Sequence, residues 1–137
     1  MSDSNNQEVV LSSKDLVAGY LPGVDILTGC NFELHKGELV GIIGPNGAGK
    51  STLVKSMFGL VEVRSGVVEL MGEEITNLPA HQLVEKGVGF VPQTENVFPS
   101  LTVSENLEMG AYQLPKNQVE ERIQEITDLF PRLGERI

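Results

Sequence analysis

Gly44-Pro45-Asn46-Gly47-Ala48-Gly49-Lys50-Ser51-Thr52 fits the G-x-x-x-x-G-K-[ST] phosphate-loop pattern at every fixed position. The flanks are those such a loop needs. Before it, Leu39-Val40-Gly41-Ile42-Ile43 is short and continuously apolar, the composition of a strand buried on both faces. After it, Leu53, Val54, Met57 and Phe58 fall on one side at helical spacing, and Gly59 stands where a left-handed helix stop is needed. Strand, glycine-rich loop and helix in that order point to a nucleoside triphosphate. Gly44, Gly47 and Gly49 let the backbone curl with its N–H groups inward, where side chains would block the turn or the phosphate. The loop feeds a helix N-terminus, whose free N–H groups and dipole favour an anion. Lys50 is the point charge for the β- and γ-phosphates, Ser51 the hydroxyl for Mg²⁺, and Thr52 a further phosphate donor.

Composition bounds the remaining choices. The chain has 137 residues, 40% hydrophobic and 21% charged, which suits one globular unit. Its apolar runs are strand-sized and its first residues are polar without a basic start, so neither a transmembrane helix nor a signal peptide is read, and a cytoplasmic location is expected. The single cysteine, Cys30, has no internal disulfide partner and joins no metal-ligand cluster. A net charge of −9 argues against a nucleic-acid partner, since phosphate-backbone binding rests on clustered Lys and Arg.

Along the chain, residues 1–8 read as a disordered tail and 9–137 as one incomplete domain. Val9 to Ala18 reads as a strand, followed by Gly19-Tyr20 and the turn signal Leu21-Pro22-Gly23. Cys30, Phe32 and Leu34 alternate with Asn31, Glu33 and His35, the period of a half-buried strand. Ser65-Gly66 reads as the start of a second hairpin, with Val68 and Leu70 on one face and a turn over Met71 to Glu74. Pro79 to Lys86 predicts a short helix stopped by Gly87, and Val88 to Val91 a strand that Pro92 ends. Thr102-Val103-Ser104-Glu105 has capping-box spacing and predicts a helix from Val103 toward Ala111. Past Pro115 a second helix places Val119, Ile123, Ile126 and Phe130 on one face and Glu120, Glu121, Glu125 and Asp128 on the others, a solvated acidic surface. His35 and His81 read as surface residues.

The phosphate loop, preceded by Leu34-His35-Lys36-Gly37-Glu38 and followed by Val91-Pro92-Gln93 and Leu101-Thr102-Val103-Ser104-Glu105-Asn106-Leu107, resembles the ATPase subunit of ABC transporters from Leu11 onward. Phe90 to Gln93, Asn96 to Val103 and Glu108-Met109-Gly110-Ala111 are similar to the importers of branched-chain and neutral amino acids. The resemblance implies an α/β phosphate-loop NTPase core with an N-terminal antiparallel β subdomain. It implies that Gly44, Pro45, Asn46, Gly47, Ala48, Gly49, Lys50, Ser51 and Thr52 hold ATP, that Tyr20 stacks on the adenine, and that Gln93 reaches the Mg²⁺ and the attacking water. The metal set is then Ser51 and Gln93. Val97 and Phe98, apolar on a loop, would face a permease subunit, a second ATPase subunit would dimerise head to tail, and the whole would lie on the inner face of the membrane.

Parts of the family pattern are missing. No two glycines are adjacent, so the Leu-Ser-Gly-Gly-Gln signature is absent, and no apolar run ends in Asp-Glu, which removes the metal-positioning aspartate and the catalytic glutamate. The expectation is an N-terminal part of such an ATPase that binds nucleotide, hydrolyses it poorly, and leaves the strands before the loop and before Gln93 without partners. A non-enzymatic nucleotide- or partner-binding fragment is the alternative. A GTPase is disfavoured by the lack of an Asn-Lys-x-Asp guanine reader.

Overall fold

β-Branched and aliphatic residues form strand β1, Val9–Ala18, which lies between two antiparallel neighbours: β2, Leu27–His35, and, beyond the phosphate loop and helix α1, Lys50–Met57, the strand β3, Val63–Leu70. A two-residue strand β4, Glu73–Glu74, completes a four-stranded sheet in the order β2-β1-β3-β4. The computed structural model describes residues 7–137 and divides into Met1–Gly89 and Phe90–Ile137. The disordered tail expected over residues 1–8 lies outside the described residues up to residue 6; the Glu8 carbonyl accepts a hydrogen bond from the Lys36 N–H at 2.9 Å.

In the first unit, α1 packs on β1 and β2. Leu16, Ala18, Leu27, Leu53, Met57, Val63, Val68 and Leu70 are buried, joined by Ile75 and by Leu83 of helix α2, Ala80–Glu85. A fully buried Leu or Val contributes roughly 1.5–3 kcal/mol, so this cluster is the main source of the unit's cohesion. The end of α1 is a Schellman motif: Gly59, φ +73°, donates to the Ser56 carbonyl and Leu60 to that of Lys55. That is the helix stop the sequence predicts.

Ser65-Gly66 does not begin a strand. It lies inside β3, opposite a bulge in β1 where the register with both neighbours shifts between Ser13 and Val17. Asp15 takes φ +48° and Gly66 φ +89°, and the Asp15 N–H is satisfied by Asn31 Oδ1 at 3.0 Å. A Cβ on Gly66 would sit 2.5 Å from the Asp15 carbonyl oxygen, so only glycine allows the two backbones to approach. The outer edge of β3 is closed by side chains as well as by β4. Asn77 exchanges hydrogen bonds with both the N–H and the carbonyl of Val63, each at 2.8 Å, and Thr76 Oγ1 accepts from the Val68 N–H at 2.9 Å. Side chains thus do the work of a missing strand.

The predicted strands Leu39–Ile43 and Val88–Val91 are not strands here. Neither belongs to the sheet, and Leu39, Ile43 and Val91 are almost fully exposed, at 98%, 96% and 84%. Their composition is that of buried parallel strands, but a strand exists only by pairing.

The second unit holds α3, Val103–Gly110, α4, Lys116–Leu129, and the short α5, Pro131–Gly134. The capping box is formed: the Glu105 N–H donates to Thr102 Oγ1 at 3.2 Å, and Glu105 Oε2 accepts the Thr102 N–H at 2.7 Å. Pro131 ends α4 and starts α5, so Phe130 leaves the helical face expected for it and is half exposed as the residue before a proline. The acidic positions of α4 are solvent-exposed. No helix among the described residues is long and apolar enough to cross a membrane.

Candidate nucleotide-binding site

The phosphate loop is built where α1 begins. Gly49 caps the helix in a left-handed conformation, φ +95°, with no side-chain cap and no acidic residue in the first turn. The N–H groups and positive dipole of the helix start therefore face out uncapped. Gly47 is also left-handed, φ +84°, whereas Gly44 is not, and a Cβ there would make only ordinary contacts, 3.4 Å from Ala48 Cβ and 3.7 Å from Lys50 Cδ. The Gly49 backbone rests on β2, an added Cβ falling 3.0 Å from Leu27 Cδ2.

Lys50 curls back over the loop. Its ammonium donates to the carbonyl of Gly44 and, at 2.7 Å, to that of Pro45. Ser51 is exposed beside it, while Thr52 is buried and its carbonyl accepts from Ser56 Oγ at 2.6 Å. Pro45, Asn46, Gly47 and Ala48 are open to solvent. The donors suit their expected ligands: a cationic ammonium and free N–H groups for phosphate, a hydroxyl oxygen for hard Mg²⁺. No group of three or more His, Cys, Asp or Glu able to hold a metal occurs among the described residues.

Tyr20, directly after β1, is half exposed, with Lys55 Nζ of α1 over its ring at 5.8 Å from the centroid. The turn carrying it is closed by Val24 N–H to Leu21 carbonyl at 3.1 Å and Ile26 N–H to Ala18 carbonyl at 2.9 Å. Sequence reading gave no role to Arg64. From β3 its guanidinium reaches the carbonyls of Gly19, Leu21 and Val24 and the carboxylate of Asp25. The partners lie about forty residues away in sequence, a separation no local pattern records.

Tyr20 and the phosphate loop share the first unit; Gln93 belongs to the second, where it is exposed in a bend. In that unit Val97 and Phe98 are exposed and line an apolar groove of about 740 Å³ with Leu101, Met109, Tyr112 and Leu133. Asn106, also unassigned from sequence, anchors this loop to α3: its side-chain carbonyl accepts the Phe98 N–H at 2.8 Å, and its amide donates to the carbonyls of Phe98, Leu101 and Thr102. His81 is exposed; His35 is half-buried, its Nδ1 3.0 Å from Glu38. The Glu38 carboxyl is held below its ordinary pKa mainly by the His35 backbone N–H, and that of Glu105 by the Thr102 backbone N–H.

Residues 27–136 match the family model described as ABC transporter. A probable branched-chain amino acid transport ATP-binding protein of Archaeoglobus fulgidus is 46% identical over 90% of this chain and 52% of its own length. A high-affinity branched-chain amino acid transport ATP-binding protein of Pseudomonas aeruginosa is 40% identical over 90% and 53%. Among solved structures, an ATP-binding subunit of an ABC transporter superposes with a TM-score of 0.75 at 32% identity, over 93% of this chain and 52% of that one. The chain spans about half the length of the curated relatives it matches. With that match over most of its residues, and a phosphate loop at the head of α1, the chain belongs to the ABC transporter family and has the fold of its ATP-binding cassettes.

Proposed function

We propose that the chain is the ATP-binding part of an ATPase subunit that energises an importer of branched-chain or other neutral amino acids. The observation that carries this reading is the uncapped start of α1, with Lys50 held over a loop of left-handed glycines. On this reading the triphosphate displaces the Lys50 ammonium from the Gly44 and Pro45 carbonyls, exchanging two dipolar partners for an anion. Backbone N–H groups of the loop and of the start of α1 orient the phosphates, that of Ala48 being engaged by the Pro45 carbonyl at 3.2 Å, and Tyr20 takes the adenine on its exposed ring. Ser51 would offer its hydroxyl to Mg²⁺, which when bound would neutralise charge on the phosphates, and a metal-contact role for Gln93 rests on the family resemblance alone. Transport specificity is proposed from the two relatives, whose names carry branched-chain amino acids.

These residues by themselves bind nucleotide without efficient turnover, because no apolar run ending in Asp-Glu supplies an activating carboxylate. In the whole subunit, a second copy dimerises head to tail, Val97 and Phe98 meet a permease, and the assembly lies on the inner face of the membrane. Base stacking separates this reading from a bare anion site. Tyr20→Ala weakens ATP by about tenfold, stacking being worth ~1–3 kcal/mol, and leaves inorganic triphosphate unchanged. Calorimetry of both ligands tests it, and equal losses for the two would remove the adenine role. For the permease contact, normal transport by a complete subunit carrying Phe98→Asp would remove that role.

A further inference from the structure

We propose that Arg64 is the positioning residue of the base platform: its guanidinium fixes the turn from Gly19 to Asp25 and, through it, the ring of Tyr20. The proposal rests on the reading of Tyr20 as the residue that stacks on the nucleotide base. Arg64 donates to the Val24 carbonyl at 2.9 Å and the Gly19 carbonyl at 3.4 Å, to the Leu21 carbonyl, and to Asp25 Oδ1, with which it forms an ion pair. The planar fork of a guanidinium can serve several acceptors at once in fixed geometry, which an ammonium cannot. Tyr20 therefore has a fastened neighbour on each side, at Gly19 and Leu21. Only glycine fits at the first of these. A Cβ on Gly19 would lie 2.0 Å from the Val24 carbonyl oxygen and 3.2 Å from the Arg64 guanidinium.

The ring itself is braced by Lys55 from α1, the helix that carries Lys50 and Ser51 at its start. Platform and phosphate loop are thus tied to the same sheet and helix. A loop free before binding would have to be ordered by the base, and that entropy would be subtracted from the stacking energy. Arg64 removes this cost in advance. An ordinary structural arginine would affect ATP and triphosphate alike; a positioning residue affects only the ligand that has a base.

The test is a double-mutant cycle on the full chain, read by calorimetry with MgATP and with inorganic triphosphate. Arg64→Ala is expected to weaken ATP by about tenfold, the equivalent of about 1.4 kcal/mol, with triphosphate unchanged. Arg64→Lys keeps the charge but not the fork and is expected to behave as Arg64→Ala does. Arg64→Ala added to Tyr20→Ala is expected to cost no more than a further twofold, because the platform is already gone. Tyr20 and Tyr112 are the only tyrosines and there is no tryptophan. In a Tyr112→Phe background, tyrosine anisotropy therefore reports on Tyr20 alone and is expected to fall in both Arg64 variants.

Unchanged ATP affinity in Arg64→Ala, where Tyr20→Ala is weakened, overturns the clamp while leaving the platform intact. Unchanged ATP affinity in Tyr20→Ala overturns the platform and the clamp together. Equal losses of ATP and triphosphate in the Arg64 variants, or undiminished anisotropy, reduce Arg64 to a general structural role.

Discussion

Replacing Leu39 and Ile43 together by lysine is expected to convert a self-associating chain into a more monomeric one. Both side chains stand in water, 98% and 96% exposed, on the apolar segment that leads into the phosphate loop. Its backbone lies outside the sheet order β2-β1-β3-β4. Covering a Leu or Ile fully is worth roughly 1.5–3 kcal/mol, so pairing this segment with another copy gains about 3–6 kcal/mol from these two residues before ordering costs. If half of that survives in association, the double variant weakens it by about tenfold to a hundredfold. Unpaired strand edges with apolar faces associate, and charge on the edge is a recognised way to blunt them. The assay is sedimentation velocity across a concentration series, with far-UV circular dichroism to confirm that secondary structure is retained. A parent chain that stays monomeric at concentrations of about 100 μM, or a double variant that associates as strongly, would refute the reasoning.

Two further outcomes follow from local geometry. Gly66→Ala is expected to cost about 3 kcal/mol or more, from left-handed strain of about 1–2 kcal/mol plus the collision with the Asp15 carbonyl. Gly72→Ala, at φ +81° in open space, costs the conformational part alone, and equal values for the two in urea unfolding would dismiss the bulge argument. At Glu105 the folded-state pKa is lowered, so its contribution to the capping box is complete above the ordinary glutamate value and is lost as pH falls through the lowered one. Amide exchange at Thr102 is then expected to keep its protection down to the ordinary glutamate value, to lose it in the parent as pH falls further through the lowered one, and to show no such titration in Glu105→Gln.

The features legible in the sequence are those whose cause is local. The capping box at Thr102 and the Gly59 helix stop depend on residues within one or two turns of each other, and each stands where the sequence places it. The phosphate loop is legible for the same reason. Leu39–Ile43 and Val88–Val91 show the limit: composition gives their propensity for a buried strand, but pairing requires a partner that the sheet of the first unit does not contain. Ser65-Gly66 looks like a strand start because a serine-glycine pair usually marks a turn, and the carbonyl that demands glycine there belongs to Asp15. The Arg64 clamp carries no motif, because its acceptors lie about forty residues away and are brought together only by folding, whereas Asn106 stands within the quoted stretch Leu101 to Leu107 and its partners are local, although no spacing rule marks the anchor.

The most direct test of the phosphate loop as an ATP site is calorimetric titration of the full chain with MgATP, in parallel for the parent and Lys50→Ala. Removing a charge-assisted hydrogen bond to an anion costs about 1.5–3 kcal/mol, so the parent is expected to bind at a single saturable site and the variant about tenfold to a hundredfold more weakly. Equal affinity in the two would contradict the account.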